Sequence, residues 1–133
     1  MDDSREDALV EAATRARENA VCPYSGFAVG AAIETGDGRV FSGCNVENGT
    51  FGLTVCAERV AIWKALSEGV RAFRSVAVVT GADDPTPPCG ACRQILWEFA
   101  RDVPVVSATT SGRRRRWKLS EIFPAPFDFE PQP

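Results

Sequence analysis

Three cysteines and a glutamate carry the strongest chemical signal in this chain. Cys56 opens the stretch Cys56-Ala57-Glu58-Arg59, and Cys89 and Cys92 stand in Pro88-Cys89-Gly90-Ala91-Cys92-Arg93-Gln94. Zinc takes four tetrahedral ligands in most protein sites, and a catalytic zinc leaves one position to water. Three thiolates and a water fill that shell. Glu58, two residues beyond Cys56, is then the nearby acid able to move the water's protons. A Cys-x-x-Cys pair alone is a weak signal, divided between structural and other uses. The upstream Cys-Ala-Glu-Arg favours a catalytic site. A closed structural site needs a fourth ligand, and Cys22 and Cys44 lack helpful spacing.

Both cysteine stretches read as helix starts. A helix N-terminus carries partial positive charge and unpaired N–H groups, which stabilise thiolates. Three thiolates around Zn²⁺ leave a net charge of −1, which weakens the metal's pull on water. Arg59 and Arg93, one in each half, are expected to drain that charge, with Arg59 the main donor to thiolate sulfur.

The composition limits the alternatives. The chain has no histidine, so it can form neither a Ser-His-Asp triad nor a Cys-His pair by itself. Its five cysteines are an odd number and cannot all pair. The N-terminus, Met1-Asp2-Asp3-Ser4-Arg5-Glu6-Asp7, lacks the basic-then-apolar order of a leader, and no apolar run approaches a membrane span. A reducing cytoplasm is expected, where cysteine points to metal or catalysis before disulfides. At 133 residues, 44% apolar and 25% charged, the chain fits one globular domain. The net charge of −3 argues against a general nucleic-acid surface.

The elements that must hold the two halves together follow from periodicity. Residues 4–20 read as a helix opened by a Ser4/Asp7 capping box, with Leu9, Ala13, Ala16 and Ala20 inward and Glu6 among the outward charges. Residues 27–35 and 39–45 form a hairpin about Gly36-Asp37-Gly38. A polar loop leads to a helix from Cys56 to near Gly69. Residues 75–80 are a β-branched central strand. A loop with three prolines ends at Cys89, where a third helix runs to Arg101 with Ile95, Leu96 and Phe99 facing the core. Residues 103–106 and 113–118 are strands, and residues 119–123 a final helical turn. This order fits an α/β fold, a mixed sheet with helices on its faces. Arg113 to Arg116 read as a solubilising run on an exposed edge strand, and Cys22 and Cys44 as small buried residues.

The two stretches resemble the motifs of the small cytidine deaminases with a three-cysteine zinc site. Cys22-Pro23-Tyr24-Ser25 with Phe27-Ala28-Val29-Gly30-Ala31-Ala32, and Gly43-Cys44-Asn45-Val46-Glu47-Asn48, extend the likeness, which covers residues 8–127. The resemblance implies a three-layer α/β/α fold on a mixed five-stranded sheet, one domain over residues 1–133 (core 4–127, tail 128–133), and one Zn²⁺ per chain. It implies Cys56, Cys89 and Cys92 as ligands and Glu58 as proton shuttle. It assigns Phe27 to stacking on the pyrimidine, Asn45 and Glu47 to the ribose hydroxyls, and the Ala57 N–H to the base carbonyl. It further implies a homotetramer whose sites are completed across subunits, with Phe51 and Phe127 as the reaching side chains. Phe51 stands where many members carry Tyr, Pro87 where many carry a small polar residue, and Pro126 alters the approach to Phe127.

The function this implies is hydrolysis of cytidine and deoxycytidine to uridine and deoxyuridine with release of ammonia, in pyrimidine salvage. A carboxylate at Glu47 disfavours substrates carrying phosphate. The alternatives are a deaminase of a modified cytosine nucleoside such as blasticidin S, an RNA or DNA editing enzyme tracking along Arg113 to Arg116, and a non-catalytic zinc-stabilised module.

Overall fold

The computed structural model describes residues 2–128, and the remainder of the expected tail, 129–133, lies outside them. Five strands form one mixed sheet: β1 (Val29–Thr35), β2 (Val40–Cys44), β3 (Phe73–Thr80), β4 (Pro104–Thr109) and β5 (Arg114–Lys118), in the order β2-β1-β3-β4-β5. Only β3 and β4 pair in parallel; β1 is antiparallel to both of its neighbours. Helix α1 (Asp3–Arg17) covers one face, while α2 (Ala57–Ser67) and α3 (Gly90–Ala100) cover the other; α4 (Leu119–Ile122) closes the chain after β5. The expected three layers and their element order are present.

Strand alternation sorts the core between the two faces. Val76 and Val78 of β3 join Ala61, Ile62 and Leu96 of α2 and α3. Ala77 and Val79 of the same strand join Leu9, Val10 and Ala13 of α1. The helices sit unusually close to the sheet. A Cβ at Gly30 would come within 1.9 Å of the Ala13 carbonyl oxygen, and one at Gly43 within 2.7 Å of the Ala61 nitrogen. Both positions therefore need glycine for backbone approach rather than for conformation.

Several expectations change. Helix α1 is capped by Asp2, whose carboxylate accepts from the Arg5 N–H at 2.9 Å, while the Ser4 hydroxyl donates to that same carboxylate. There is no Ser4/Asp7 box. The helix ends at Arg17, because Glu18 to Ala20 already bond in tighter three-residue turns. Glu6, expected outward, is 4% exposed. Arg116 grips it with Nε to Oε1 at 2.5 Å and Nη2 to Oε2 at 2.7 Å, and Arg114 adds a bond at 3.1 Å. Phe99, expected in the core, is exposed, while Leu96 is buried as expected.

The arginine run is spent on internal contacts. Besides Arg114 and Arg116, Arg113 pairs with Asp84 at 2.8 Å and Arg115 lies over the Trp117 ring at 5.1 Å. Strand β5 is an edge strand as expected, and its cations fasten α1 and a neighbouring loop to the sheet.

The topology places the two cysteine stretches together. Because β1 is antiparallel to both β2 and β3, strands β2, β3 and β4 all run in one direction. The chain leaves β2 for α2 and β3 for α3, so both helices begin at the carboxyl end of the same strands. That edge is where open α/β sheets place their ligands.

Candidate active site

Cys56 caps α2 and Cys89 caps α3, each in extended conformation, and Cys92 stands on the first turn of α3. Neither sulfur caps a backbone N–H of its own helix, so both are free to face the common centre. All three Sγ atoms lie within 4.8 Å, with Cys56 and Cys89 3.7 Å apart. Tetrahedral zinc with Zn–S bonds of about 2.3 Å requires sulfurs about 3.8 Å apart. The three thiols therefore fit a zinc ion without rearrangement of their helices, and among the described residues they are the one cluster able to hold a metal.

Charge in the cluster is unevenly spread. The hydrogen bond from Cys92, reinforced by the Arg59 guanidinium and by Cys89, pulls the Cys56 thiol down to about 5. The same bond to Cys56, burial and the Glu58 carboxylate push Cys92 up. Cys56 is thus more readily ionised than Cys92, and the thiolate is the form that binds a metal. Arg59 Nη2 donates to Cys56 Sγ at 3.3 Å, as expected for the main donor to sulfur. Arg93 is placed differently. Its Nε donates to the Pro88 carbonyl at 2.7 Å and its Nη1 to the Ile122 carbonyl at 2.6 Å. It ties the approach to Cys89 to α4, and its described bonds reach no sulfur.

Glu58 is 5% exposed and faces a cavity of about 270 Å³. That volume lies just below the usual range of small-molecule sites, about 300–1,000 Å³. Burial pushes the Glu58 carboxyl up to about 7, with the Cys56 thiolate adding to the rise. A carboxyl poised there can both take and give a proton at neutral pH.

The same cavity brings together Phe27, Asn45, Glu47, Ala57, Cys56 and Cys89. Ala57 is the first residue of α2, where backbone N–H groups have no helical partner. Asn45 staples the start of β1: its Nδ2 donates to the Phe27 carbonyl at 2.8 Å and its Oδ1 accepts from the Val29 N–H at 2.9 Å. Glu47 accepts from the Ser25 hydroxyl at 2.5 Å and from the Tyr24 and Ser25 N–H groups at 3.0 and 3.1 Å. The hydroxyl first and those N–H groups after it hold its carboxyl below the usual carboxylate range. Ser25 received no role from the sequence; a hydroxyl before glycine in a tight turn is the signal that could have marked it.

Phe51 and Phe127 are absent from the cavity lining. Phe51, at φ 56° and 64% exposed, stacks edge-on against Tyr24 at 4.9 Å. The Phe127 carbonyl accepts from Gln94 Nε2 at 2.9 Å, and the next residue, Asp128, pairs with Arg101 at 2.6 Å. The last described residues thereby lie along α3.

Comparison with known proteins agrees with this geometry. A family model described as the cytidine and deoxycytidylate deaminase zinc-binding region matches residues 3–108. A cytidine deaminase of Halalkalibacterium halodurans is 46% identical over 123 residues, 92% of this chain and 93% of that protein. The crystal structure of a cytidine deaminase from Burkholderia pseudomallei superposes with a TM-score of 0.88 at 47% identity, covering 91% of this chain and 98% of the other. A blasticidin-S deaminase of Bacillus cereus is 32% identical over 104 residues, 72% of this chain and 74% of that protein.

Proposed function

We propose, since the chain belongs to the cytidine and deoxycytidylate deaminase family, that it hydrolyses cytidine and deoxycytidine to uridine and deoxyuridine with release of ammonia. The observation that carries the reading is the buried Glu58 beside three converging thiols at the mouths of two helices. Cys56, Cys89 and Cys92 would hold a zinc ion, and that ion would supply the activation of water for attack near neutral pH.

The chain's own groups do the rest. Glu58 takes a proton from the attacking water and gives it to the ring nitrogen beside the reacting carbon. It then carries the second proton to the departing amine, so that one water enters and one ammonia leaves. The Ala57 N–H donates to the base carbonyl, and Phe27 covers the ring. Glu47 accepts from the sugar hydroxyls beside Asn45. Arg59 withdraws charge from Cys56, which offsets the net charge of three thiolates.

The reading takes residues 4–127 as one catalytic domain, in keeping with their single sheet. It assigns the reaction to pyrimidine salvage in the cytoplasm, a compartment supported by five free thiols. Among the described residues, no helix is long and apolar enough to cross a membrane. It takes the active form as a homotetramer. Tyr24 and Phe51 are exposed and line a hollow that shares Ser25, Glu47 and Thr54 with the cavity, and such apolar groups suit a subunit contact. Polynucleotide editing loses its support, because Arg113 to Arg116 are engaged within the chain.

The test is ammonia release by zinc-quantified protein on cytidine, deoxycytidine, CMP, single-stranded RNA and blasticidin S in parallel. Turnover of the two nucleosides well above the others supports the reading. Turnover of blasticidin S alone transfers the same chemistry to a modified cytosine, and no turnover at full zinc occupancy overturns it.

A further inference from the structure

The loop from Gly81 to Pro88 joins β3 to α3 and delivers Cys89 to the site. Its Thr86 and Pro87 line the cavity beside Glu58. Glu58 follows Cys56 by two residues and Pro87 precedes Cys89 by two, while the sulfurs of these cysteines are 3.7 Å apart. The 86–87 segment therefore borders the reacting end of the cavity. Ser25, Asn45 and Glu47 line the same cavity. Pro85, Pro87 and Pro88 have no N–H, so this segment is rich in carbonyl acceptors and poor in donors. That polarity suits cytosine, whose exocyclic amine donates, over uracil, whose carbonyl in the same place only accepts.

What fixes the segment is a chain of hydroxyls. The Thr86 side chain meets the Thr80 hydroxyl at 3.1 Å, and the Thr86 carbonyl accepts from the Ser107 hydroxyl at 2.6 Å. Thr80 ends β3, Ser107 lies on β4, and both are fully buried. The two strands are the parallel pair at the centre of the site, with Val78 opposite Ser107 and Thr80 opposite Thr109. Thr80 also accepts from the Ala82 N–H at 3.3 Å. A second tether, Arg113 to the Asp83 carbonyl at 3.1 Å and to Asp84 at 2.8 Å, is exposed and for that reason weak. Arg93 anchors the loop's last residue through the Pro88 carbonyl at 2.7 Å, and the buried hydroxyls, not the ion pair, hold the 86–87 segment ahead of it.

We propose that Ser107, Thr80 and Thr86 form a positioning device that fixes the 86–87 wall of the cavity against the amine-bearing edge of the pyrimidine. Ser107 touches no substrate; it acts through the Thr86 carbonyl. The inference rests on the deamination reading, since only an amine gives the wall its purpose.

The experiment compares the zinc-loaded wild type with Ser107→Ala, Thr86→Val and Thr86→Ser. It reads kcat and KM for cytidine, inhibition by uridine, zinc content, and hydrogen exchange over residues 81–89. Ser107→Ala and Thr86→Val are expected to lower kcat about tenfold, the effect of one lost hydrogen bond of about 1.4 kcal/mol. Uridine binding should change less than threefold, zinc should stay at one per chain, and exchange in the loop should quicken. Thr86→Ser should recover most of the loss seen in Thr86→Val. Unchanged kcat in either variant overturns the proposal, and so does loss of zinc, which would make the hydroxyls supports of Cys89 alone. A wild type inactive on cytidine ends the deamination reading instead. Loop exchange then decides the pinning by itself: unchanged exchange in Ser107→Ala overturns it.

Discussion

Arg59 donates to the sulfur of Cys56 at 3.3 Å from one turn further along the same helix. The pairing places a permanent cation against a thiol held well below the ordinary thiol range. Replacing Arg59 with Ala leaves the cluster's negative charge uncompensated. Activity is expected to fall about 10–100-fold, the usual range for a group that supports a metal ligand. Kinetics with zinc content measured on the same samples checks this, and wild-type turnover at full occupancy would remove Arg59 from the site.

Glu58→Gln keeps the shape of the side chain and removes its proton chemistry. Turnover is expected to drop about 10²–10⁴-fold, with melting temperature and zinc content held. A variant that still turns over cytidine at the parental rate assigns the proton transfers to another group.

Glu47→Gln tests the sugar end. The carboxylate already accepts from Tyr24 and Ser25, and its replacement offers an amide where donors converge. KM for both nucleosides should rise about tenfold or more, as for loss of a hydrogen bond to a charged group. A change confined to kcat would argue that Glu47 acts on the chemistry and not on binding.

Glu6 predicts a pH dependence of stability. Arg116 first and Arg114 second hold its carboxyl below the ordinary 4.5. The stabilisation is complete above that value and is lost as pH falls through the lower folded value. The gap in melting temperature between wild type and Glu6→Gln should therefore be constant from pH 7 to about 5 and narrow in more acid solution. Removing Arg114 and Arg116 together leaves a buried carboxylate without a partner and should cost about 3 kcal/mol, more than Glu6→Gln itself. Denaturant unfolding measures both.

The parts of the molecule that were legible in the sequence are those specified locally. Gly36-Asp37-Gly38 makes a hairpin turn by its own conformational freedom, and Gly38 is at φ 88°. The Cys-x-x-Cys spacing and the Cys-Ala-Glu-Arg stretch mark helix starts by composition. The illegible parts depend on distant partners. Glu6 looks like any outward charge until β5 supplies its guanidinium groups. Arg93 stands beside a ligand in sequence, yet the carbonyl of Ile122 draws it elsewhere. Phe99 satisfies the helical period and still points to solvent, because a period of 3.6 gives a face but not the width of what covers it. Ser107 and Thr86 carry no motif at all; their relation exists only because β3 and β4 are parallel neighbours.

The clasp between Glu6 and the arginines of β5 also sets an order of events during synthesis. Its partners are 108 and 110 residues apart in the chain. At roughly 5–20 residues per second, a nascent chain waits about 5–20 s between making the carboxylate and making the guanidinium that neutralises it. Helix α1 thus receives this clasp late, after β1 and β3 have already offered its apolar face a surface. A ribosome stalled before residue 114 holds a chain with both cysteine stretches complete and Glu6 of α1 still without its guanidinium partners. Strand β5, at the opposite edge of the sheet from β2, adds its ion pairs to α1 only after the residues of the site have emerged.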